Sequence, residues 1–66
     1  MTQQLNEALL RLPDVRKATG LSRQGIYRAE RDGMFPRRVK ISLRSVAWRQ
    51  SEINAWIEAR VRKVAL

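Results

Sequence analysis

The chain has 66 residues and a formal net charge of +8, from 14 Lys and Arg against 6 Asp and Glu. Its length allows one small domain, and the absence of cysteine and histidine excludes disulfides, the usual zinc ligands and the commonest general base. No apolar run approaches the roughly 18 residues that span a membrane. We therefore expect a cytoplasmic protein without enzymatic activity, cofactor, metal or membrane partner.

The positive charge is concentrated in the middle of the sequence. Residues 23–49 carry eight basic and two acidic side chains, net +6, whereas residues 1–22 and 50–66 each carry a net +1. Arginine outnumbers lysine eleven to three, and its planar guanidinium can pair with a phosphate or a base edge through two hydrogen bonds. This localised charge favours a polyanionic partner over a uniformly solvated basic surface.

The start of the chain is the least informative part. Residues 1–6 lack a periodic apolar pattern, so residues 1–8 are predicted to be a flexible N-terminus ahead of one domain at residues 9–64. The leucines at positions 5, 9, 10 and 12 are compatible with a short strand or with a helical lead-in, and their pattern does not choose between the two.

The first helix is predicted to begin at Pro13 and to end at about Thr19. Proline suits the first helical position because its missing N–H costs little there, and Asp14 places a negative charge in the positive first turn. Gly20 supplies a left-handed cap. The apolar residues that recur every three positions predict a narrow buried face: Leu12, Val15 and Ala18.

A second helix is predicted over residues 22–32, with Ser22 as its N-cap and with Leu21 and Ile26 as a hydrophobic staple. At about 100° per residue this helix divides into two faces. The small, inward face, which would let another helix approach closely, comprises Gly25, Ile26, Ala29 and Gly33. For Gly25, a flexible first turn is the alternative to a tight helix–helix contact. The outer, polar face comprises Arg23, Gln24, Tyr27, Arg28 and Arg31. Two short helices joined by a Gly-Leu-Ser turn are typical of a helix-turn-helix.

A hairpin is predicted after the second helix, which ends at Asp32 and Gly33. Phe35 is predicted to be a core residue. From Arg38 to Arg49 the period changes to two, which indicates two strands with one apolar and one basic face. The apolar face comprises Val39, Ile41, Val46 and Trp48. The opposite face comprises Arg38, Lys40, Ser42, Ala47 and Arg49. A hairpin in this place is called a wing.

The last helix is predicted to be capped by Ser51 and to bury an apolar stripe. That stripe comprises Ile53, Trp56, Ile57, Val61 and Val64. Trp48 and Trp56 are predicted core residues, since a chain this small needs large apolar surfaces. The expected fold is mainly α with a small β-hairpin, a winged helix-turn-helix.

The outer face of the second helix is the sharpest functional signal. In a helix-turn-helix the N-terminal part of the second helix points at base edges, where Arg pairs with guanine and Gln with adenine. The DNA-binding candidates on this helix are Ser22, Arg23, Gln24, Tyr27, Arg28 and Arg31. The hairpin candidates, expected on the flanking backbone or minor groove, are Arg38, Lys40 and Arg44. Glu30 is interpreted as an ion-pair partner within its helix.

Five short motifs follow one another along the chain. They are Leu-Arg-Leu-Pro-Asp-Val at 10–15, Thr-Gly-Leu-Ser-Arg at 19–23, Ile-Tyr-Arg at 26–28, Gly-Met-Phe-Pro at 33–36, and Val-Ala-Trp-Arg-Gln-Ser-Glu-Ile-Asn-Ala-Trp-Ile at 46–57. Together they resemble the AlpA family of phage and prophage transcriptional regulators, over about residues 9–62. The resemblance implies a MerR-like winged helix-turn-helix that activates integrase genes, or an excisionase that bends attachment-site DNA.

Double-stranded DNA is therefore the predicted partner, and the protein is expected to be associated with the nucleoid. Further copies of the chain on tandem sites and an integrase are additional predicted partners. A transcriptional regulator and an excisionase need the same DNA-binding chemistry, and the sequence does not separate them. A protein-binding inhibitor module is the alternative from another class. Membrane-surface binding is disfavoured because the outer helix face has no apolar side to insert. RNA binding is disfavoured because Tyr27 is the one aromatic on that face.

Overall fold

The computed structural model describes residues 7–64, and side chains as far as residue 62. Along the chain lie β1 (Leu9–Leu10), α1 (Leu12–Thr19), α2 (Arg23–Arg31), β2 (Val39–Ser42), β3 (Ser45–Arg49) and α3 (Gln50–Val64). The strands form an antiparallel sheet in the order β1-β3-β2, so β3 is central. This confirms the predicted winged helix-turn-helix and decides for a strand at Leu9. Most of the segment predicted to be flexible, residues 1–6, lies outside the described residues, and the domain boundary at residue 9 stays a prediction.

The turn between α1 and α2 has the two caps that the sequence predicts. Gly20 adopts a left-handed conformation with φ of 78°, and its N–H donates to the Arg16 carbonyl at 2.8 Å. The Ser22 hydroxyl accepts the N–H of Gly25 at 3.0 Å. Helix α1 begins at Leu12, so Pro13 is its second residue and not its first. The difference is small because the first N–H groups of a helix have no intrahelical acceptor. Proline, which lacks an N–H, is therefore tolerated at the second position as well.

The buried face of α1 differs from the prediction at its last turn. Ala18 is exposed, whereas Thr19 is half-buried beside the fully buried Val15. The Thr19 hydroxyl donates to the Val15 carbonyl at 2.8 Å and accepts the N–H of Leu21 at 3.2 Å. The prediction for Ala18 was wrong because residues four positions apart share a face of a helix. The inward face therefore continues from Val15 to Thr19, whose hydroxyl forms hydrogen bonds to the turn.

Two glycines of the predicted close-packing face have other roles. A Cβ on Gly25 would lie 3.2 Å from the Ser22 hydroxyl and 3.9 Å from Leu21 Cβ, so the turn and not α1 crowds this position. Gly33 lies beyond α2 with φ of 75°, and among the described residues other than its two chain neighbours no atom would lie within 4 Å of a Cβ at this position. Its N–H donates to the Glu30 carbonyl at 3.1 Å. Gly33 therefore ends the helix by its backbone conformation.

The hairpin departs from strict alternation at one residue. Val39 pairs with Ala47 and Lys40 with Val46, but Ser42 pairs with Ser45, which leaves Ile41 in a bulge. Because a bulge interrupts the alternation of side chains, Ile41 is 43% exposed instead of buried. Ala47 is fully buried although alternation placed it on the basic face. Ala47 lies on the central strand β3, on the face of the sheet opposite to Trp48. Its small side chain is fully buried there.

The core is small and lies between the three helices and β3. Its fully or nearly fully buried cluster comprises Val15, Ile26, Phe35, Trp48 and Ile53. This confirms Phe35 and Trp48 as core residues. Trp56 is half-buried, meets Phe35 edge-to-face with centroids 5.1 Å apart, and donates its Nε1–H to the Met34 carbonyl at 2.9 Å.

The N-terminus of α3 is capped from the other end of the chain. Helix α3 begins at Gln50, so Ser51 is inside it and the predicted Ser51 cap was wrong. The Glu7 carboxylate accepts two hydrogen bonds from Ser51, one from its backbone N–H at 3.2 Å and one from its hydroxyl at 2.8 Å. The bond from the Ser51 hydroxyl is the main cause that lowers the pKa of Glu7, and a carboxylate at a helix N-terminus is favourable.

The C-terminal half of α3 extends past the core. Ile53 is buried and Ile57 half-buried, but Val61 is 54% exposed, so its predicted burial was wrong. The side chain of Val64 lies outside the described residues. The core formed by the described residues covers only the first turns of this 15-residue helix, whereas the apolar period of the sequence continues past them.

Candidate nucleic-acid interface

The outer face of α2 collects four of the predicted DNA-binding residues. The one fully buried residue of α2 is Ile26, and the Ser22 cap fixes the first turn. On the opposite side the polar residues line one shallow surface depression: Gln24, Tyr27, Arg28 and Arg31. Ser22, Gln24, Arg28 and Arg31 are all exposed. This face offers amide, phenol and guanidinium donors at about one-turn spacing, without an apolar patch.

Tyr27 joins this face to the rest of the interface. Its side chain is half-buried and packs against the core cluster. The guanidinium carbon of Arg38 lies 4.9 Å from the centre of its ring, and that of Arg23 lies 5.9 Å from it. Both distances are within the range of cation–π attraction. A ring fixed by the core therefore holds two arginines that come from different parts of the chain.

Glu30 connects α2 to the beginning of the hairpin. Its Oε2 accepts the backbone N–H of Arg38 at 2.6 Å, and its Oε1 lies 3.5 Å from Arg38 Nη1. The Glu30 side chain is only 11% exposed, whereas that of Arg38 is 45% exposed. The interpretation of Glu30 as a partner within its own helix was therefore wrong. No local pattern in the sequence indicates a bond between residues eight positions apart.

A groove lies between α2 and the segment that precedes β2. It is lined by Tyr27, Glu30, Arg31, Arg37 and Arg38. We call it the junction groove. It shares Tyr27 and Arg31 with the depression on the outer face of α2. Arg37 was not predicted to bind DNA. In the sequence its place between Pro36 and Arg38 was the only indication that it lies in this groove.

The other two hairpin candidates lie apart from these features. Lys40 is exposed on β2 and lines a separate depression with Leu9, Ile41 and Arg49, among others. Arg44 is exposed in the turn between β2 and β3. The structure thus brings Arg38 to α2 but leaves Lys40 and Arg44 along the hairpin.

None of the helices in residues 7–64 is long and apolar enough to cross a membrane. Within the same part of the chain, no three carboxylate, imidazole or thiol side chains come together as a metal site would require.

A capped turn between two short helices, a polar and basic outer face on the second, and a hairpin tied to that helix define a winged helix-turn-helix protein. Comparison with known proteins places it more narrowly. The chain belongs to the family described as prophage CP4-57 regulatory protein (AlpA), whose model matches residues 8–61. This confirms the family resemblance found in the sequence motifs.

Two relatives illustrate the range of this similarity. The chain is 44% identical over 55 residues to the uncharacterized protein ORF88 of Enterobacteria phage P4, which covers 83% of this chain and 62% of that protein. It thus spans somewhat less than two thirds of the phage protein's length. It is 34% identical over 62 residues to the DNA-binding transcriptional activator AlpA of Escherichia coli K12, which covers 85% of this chain and 89% of that protein.

Proposed function

We propose that this chain is a sequence-specific, double-stranded-DNA-binding transcriptional regulator of the phage or prophage type. The observation that carries the proposal is the depression on α2, where Gln24, Tyr27, Arg28 and Arg31 gather on the face opposite Ile26. Clustered amide and guanidinium donors on an exposed helix match the acceptor pattern of the major groove. The 34% identity to a DNA-binding transcriptional activator supports the same assignment.

In the proposed complex α2 is the recognition helix. Its nine residues span about 13 Å, and a helix with its side chains is about 10–12 Å across, which the roughly 12 Å width of the major groove admits. Arg23 and Gln24 lie in the first turn, which points at base edges in helix-turn-helix complexes. Arg28 and Arg31 lie one and two turns further on and contact the groove walls.

The hairpin contacts the flanking DNA backbone in this proposal. Arg38, Lys40 and Arg44 follow one another from the base of the hairpin to its turn, and all three are exposed. Contacts of this kind position a protein on the duplex without selecting a sequence. Because one module of this size makes a small interface, we propose that several copies bind tandem sites.

Footprinting on the genomic neighbourhood of the gene, including promoters and attachment sites, tests the proposal. Protection of a promoter at moderate salt is the expected result. Protection of tandem sites beside an integrase attachment core would instead identify an excisionase, which uses the same DNA-binding surface. Tight binding to a protein such as an integrase, without sequence-preferred protection of DNA, would contradict the proposal and support an inhibitor module.

Two variants separate base contact from backbone contact. Gln24→Ala is expected to weaken binding to the protected site by about 1–3 kcal/mol and to relax preference at one base pair. Lys40→Ala is expected to weaken binding to all duplexes alike and to lower the salt slope of log K by about 0.9. Fluorescence anisotropy on the protected site and on single-base variants measures both effects. An unchanged salt slope for Lys40→Ala would contradict the role of the hairpin.

A further inference from the structure

The charged residues that line the junction groove are three arginines and one glutamate. We propose that it is a binding site for one backbone phosphate of DNA, with Arg31, Arg37 and Arg38 as donors and with Glu30 as the positioning residue. The inference rests on the proposed function, since its ligand is part of a DNA duplex. It adds a contact residue, Arg37, and gives the one carboxylate in the groove a defined task.

The charges in the groove favour an anion of phosphate size. Three guanidinium groups from two chain segments line it, against one carboxylate. That carboxylate is 11% exposed and both of its oxygens face Arg38. The groove therefore presents a net positive charge to solvent, and its arginines repel one another until an anion lies between them. Guanidinium and phosphate form short, charge-assisted pairs, often through two hydrogen bonds.

Arg38 is already held in position without a ligand. Its backbone N–H is bonded to Glu30 Oε2, its Nη1 lies 3.5 Å from Glu30 Oε1, and its guanidinium carbon lies 4.9 Å from the centre of the Tyr27 ring. A guanidinium has five N–H donors, so these contacts leave donors for a phosphate. A side chain fixed before binding loses less conformational entropy when the ligand arrives.

The site can be tested on a fluorescently labelled duplex of mixed sequence, because phosphate contacts dominate non-specific binding. We expect Arg37→Gln to lower the salt slope of log K by about 0.9, so that across a fourfold rise in salt it loses about 3.5-fold less affinity than the unaltered chain. Arg62→Gln is the matched control. It removes the same charge from α3, where the side chain is 78% exposed and lies beside Glu58, and its slope is expected to equal that of the unaltered chain.

The outcomes distinguish this inference from the proposed function. Failure of the unaltered chain to bind any duplex would overturn both. Normal binding by the unaltered chain, with Arg37→Gln and Arg62→Gln giving the same slope, would overturn the phosphate site and leave the proposed function intact.

Glu30 is tested by a pair of substitutions. If its charge only repelled DNA, Glu30→Gln and Glu30→Ala would both tighten binding. As a positioning residue, Glu30→Ala is expected to release Arg38 and to lower the slope by about 0.9, whereas Glu30→Gln keeps an oxygen for the Arg38 N–H and retains most of the slope. Thermal melts followed by circular dichroism verify folding. If Glu30→Ala does not fold, Glu30→Asp replaces it, because it keeps the negative charge while its shorter side chain moves the carboxylate away from the Arg38 N–H, and an unchanged salt slope in Glu30→Asp would refute the positioning role.

Discussion

Gly25 occupies the third position of α2. At this position a gain in helix propensity from a larger side chain would be opposed by damage to the Ser22 cap. Its N–H donates to the Ser22 hydroxyl at 3.0 Å, and a Cβ at this position would lie only 3.2 Å from that same oxygen. Its φ is not in the left-handed region, so alanine meets no backbone strain here. Gly25→Ala therefore gains helix propensity and crowds the cap at the same time.

The two effects are of similar size. Replacing glycine by alanine within a helix gains at most about 1 kcal/mol, and a serine N-cap is worth about 1 kcal/mol. Alanine forces the Ser22 oxygen to move by a few tenths of an ångström, which weakens but does not abolish the cap. We expect Gly25→Ala to stabilise the otherwise unaltered chain by about 0.5 kcal/mol or less, and to stabilise a Ser22→Ala chain by about 1 kcal/mol.

A double-mutant cycle measured by urea and thermal unfolding tests this reasoning. In a domain of this size 1 kcal/mol corresponds to about 4–8 °C in Tm, so the difference between the two backgrounds is measurable. The effect of alanine on the entropy of the unfolded chain is the same in both backgrounds and cancels. An equal gain from Gly25→Ala in both would refute the view that the Ser22 hydroxyl limits this position.

Two further predictions concern the ends of the core. The pKa of Glu7 is lowered mainly by its bond from the Ser51 hydroxyl, so Glu7 stabilises the fold above its ordinary pKa of about 4.5, and this stability is lost as the pH falls through the lowered value. Glu7→Gln should therefore lose less stability than the unaltered chain when urea unfolding is compared at about pH 7 and pH 3, and an equal loss would contradict the cap. Trp56→Phe removes the donor to the Met34 carbonyl and should destabilise the fold by about 1–2 kcal/mol, whereas a change below about 0.3 kcal/mol in urea unfolding would show that water replaces this bond.

Local signals in the sequence predicted local structure well. The αL cap at Gly20 and the serine cap at Ser22 depend on residues within one turn of each other, and both were confirmed. Phe35 and Trp48 were identified as core residues because a 66-residue chain has few large apolar side chains with which to build a core.

Sequence-based predictions were wrong where a contact joins residues that are distant in the sequence. They were also wrong where an apolar period continues beyond the part of the helix that is buried. Glu7 caps α3 across 44 residues, and no pattern near Ser51 could indicate it. Val61 continues the apolar period of α3 but is 54% exposed, so the elements within residues 7–64 do not cover it. In the candidate site the sequence predicted the outer face of α2 from helical geometry, but not that Glu30 and Tyr27 hold Arg38. That arrangement depends on the path of the chain between α2 and β2.

The tie at Arg38 gives the hairpin a fixed end and a free end. Because Glu30 bonds the Arg38 N–H, the base of the hairpin is fixed to the last turn of α2. With a rise of about 3.3 Å per residue, Lys40 lies about 7 Å from that bond and Ser42, the last residue of β2, about 13 Å from it, with Arg44 in the turn beyond. The turn that carries Arg44 also holds Leu43, which is 84% exposed, so little packing restrains the tip. In the proposed complex Arg38 therefore sets the register of α2 against the backbone, while Arg44 can follow the local width of the groove that it meets.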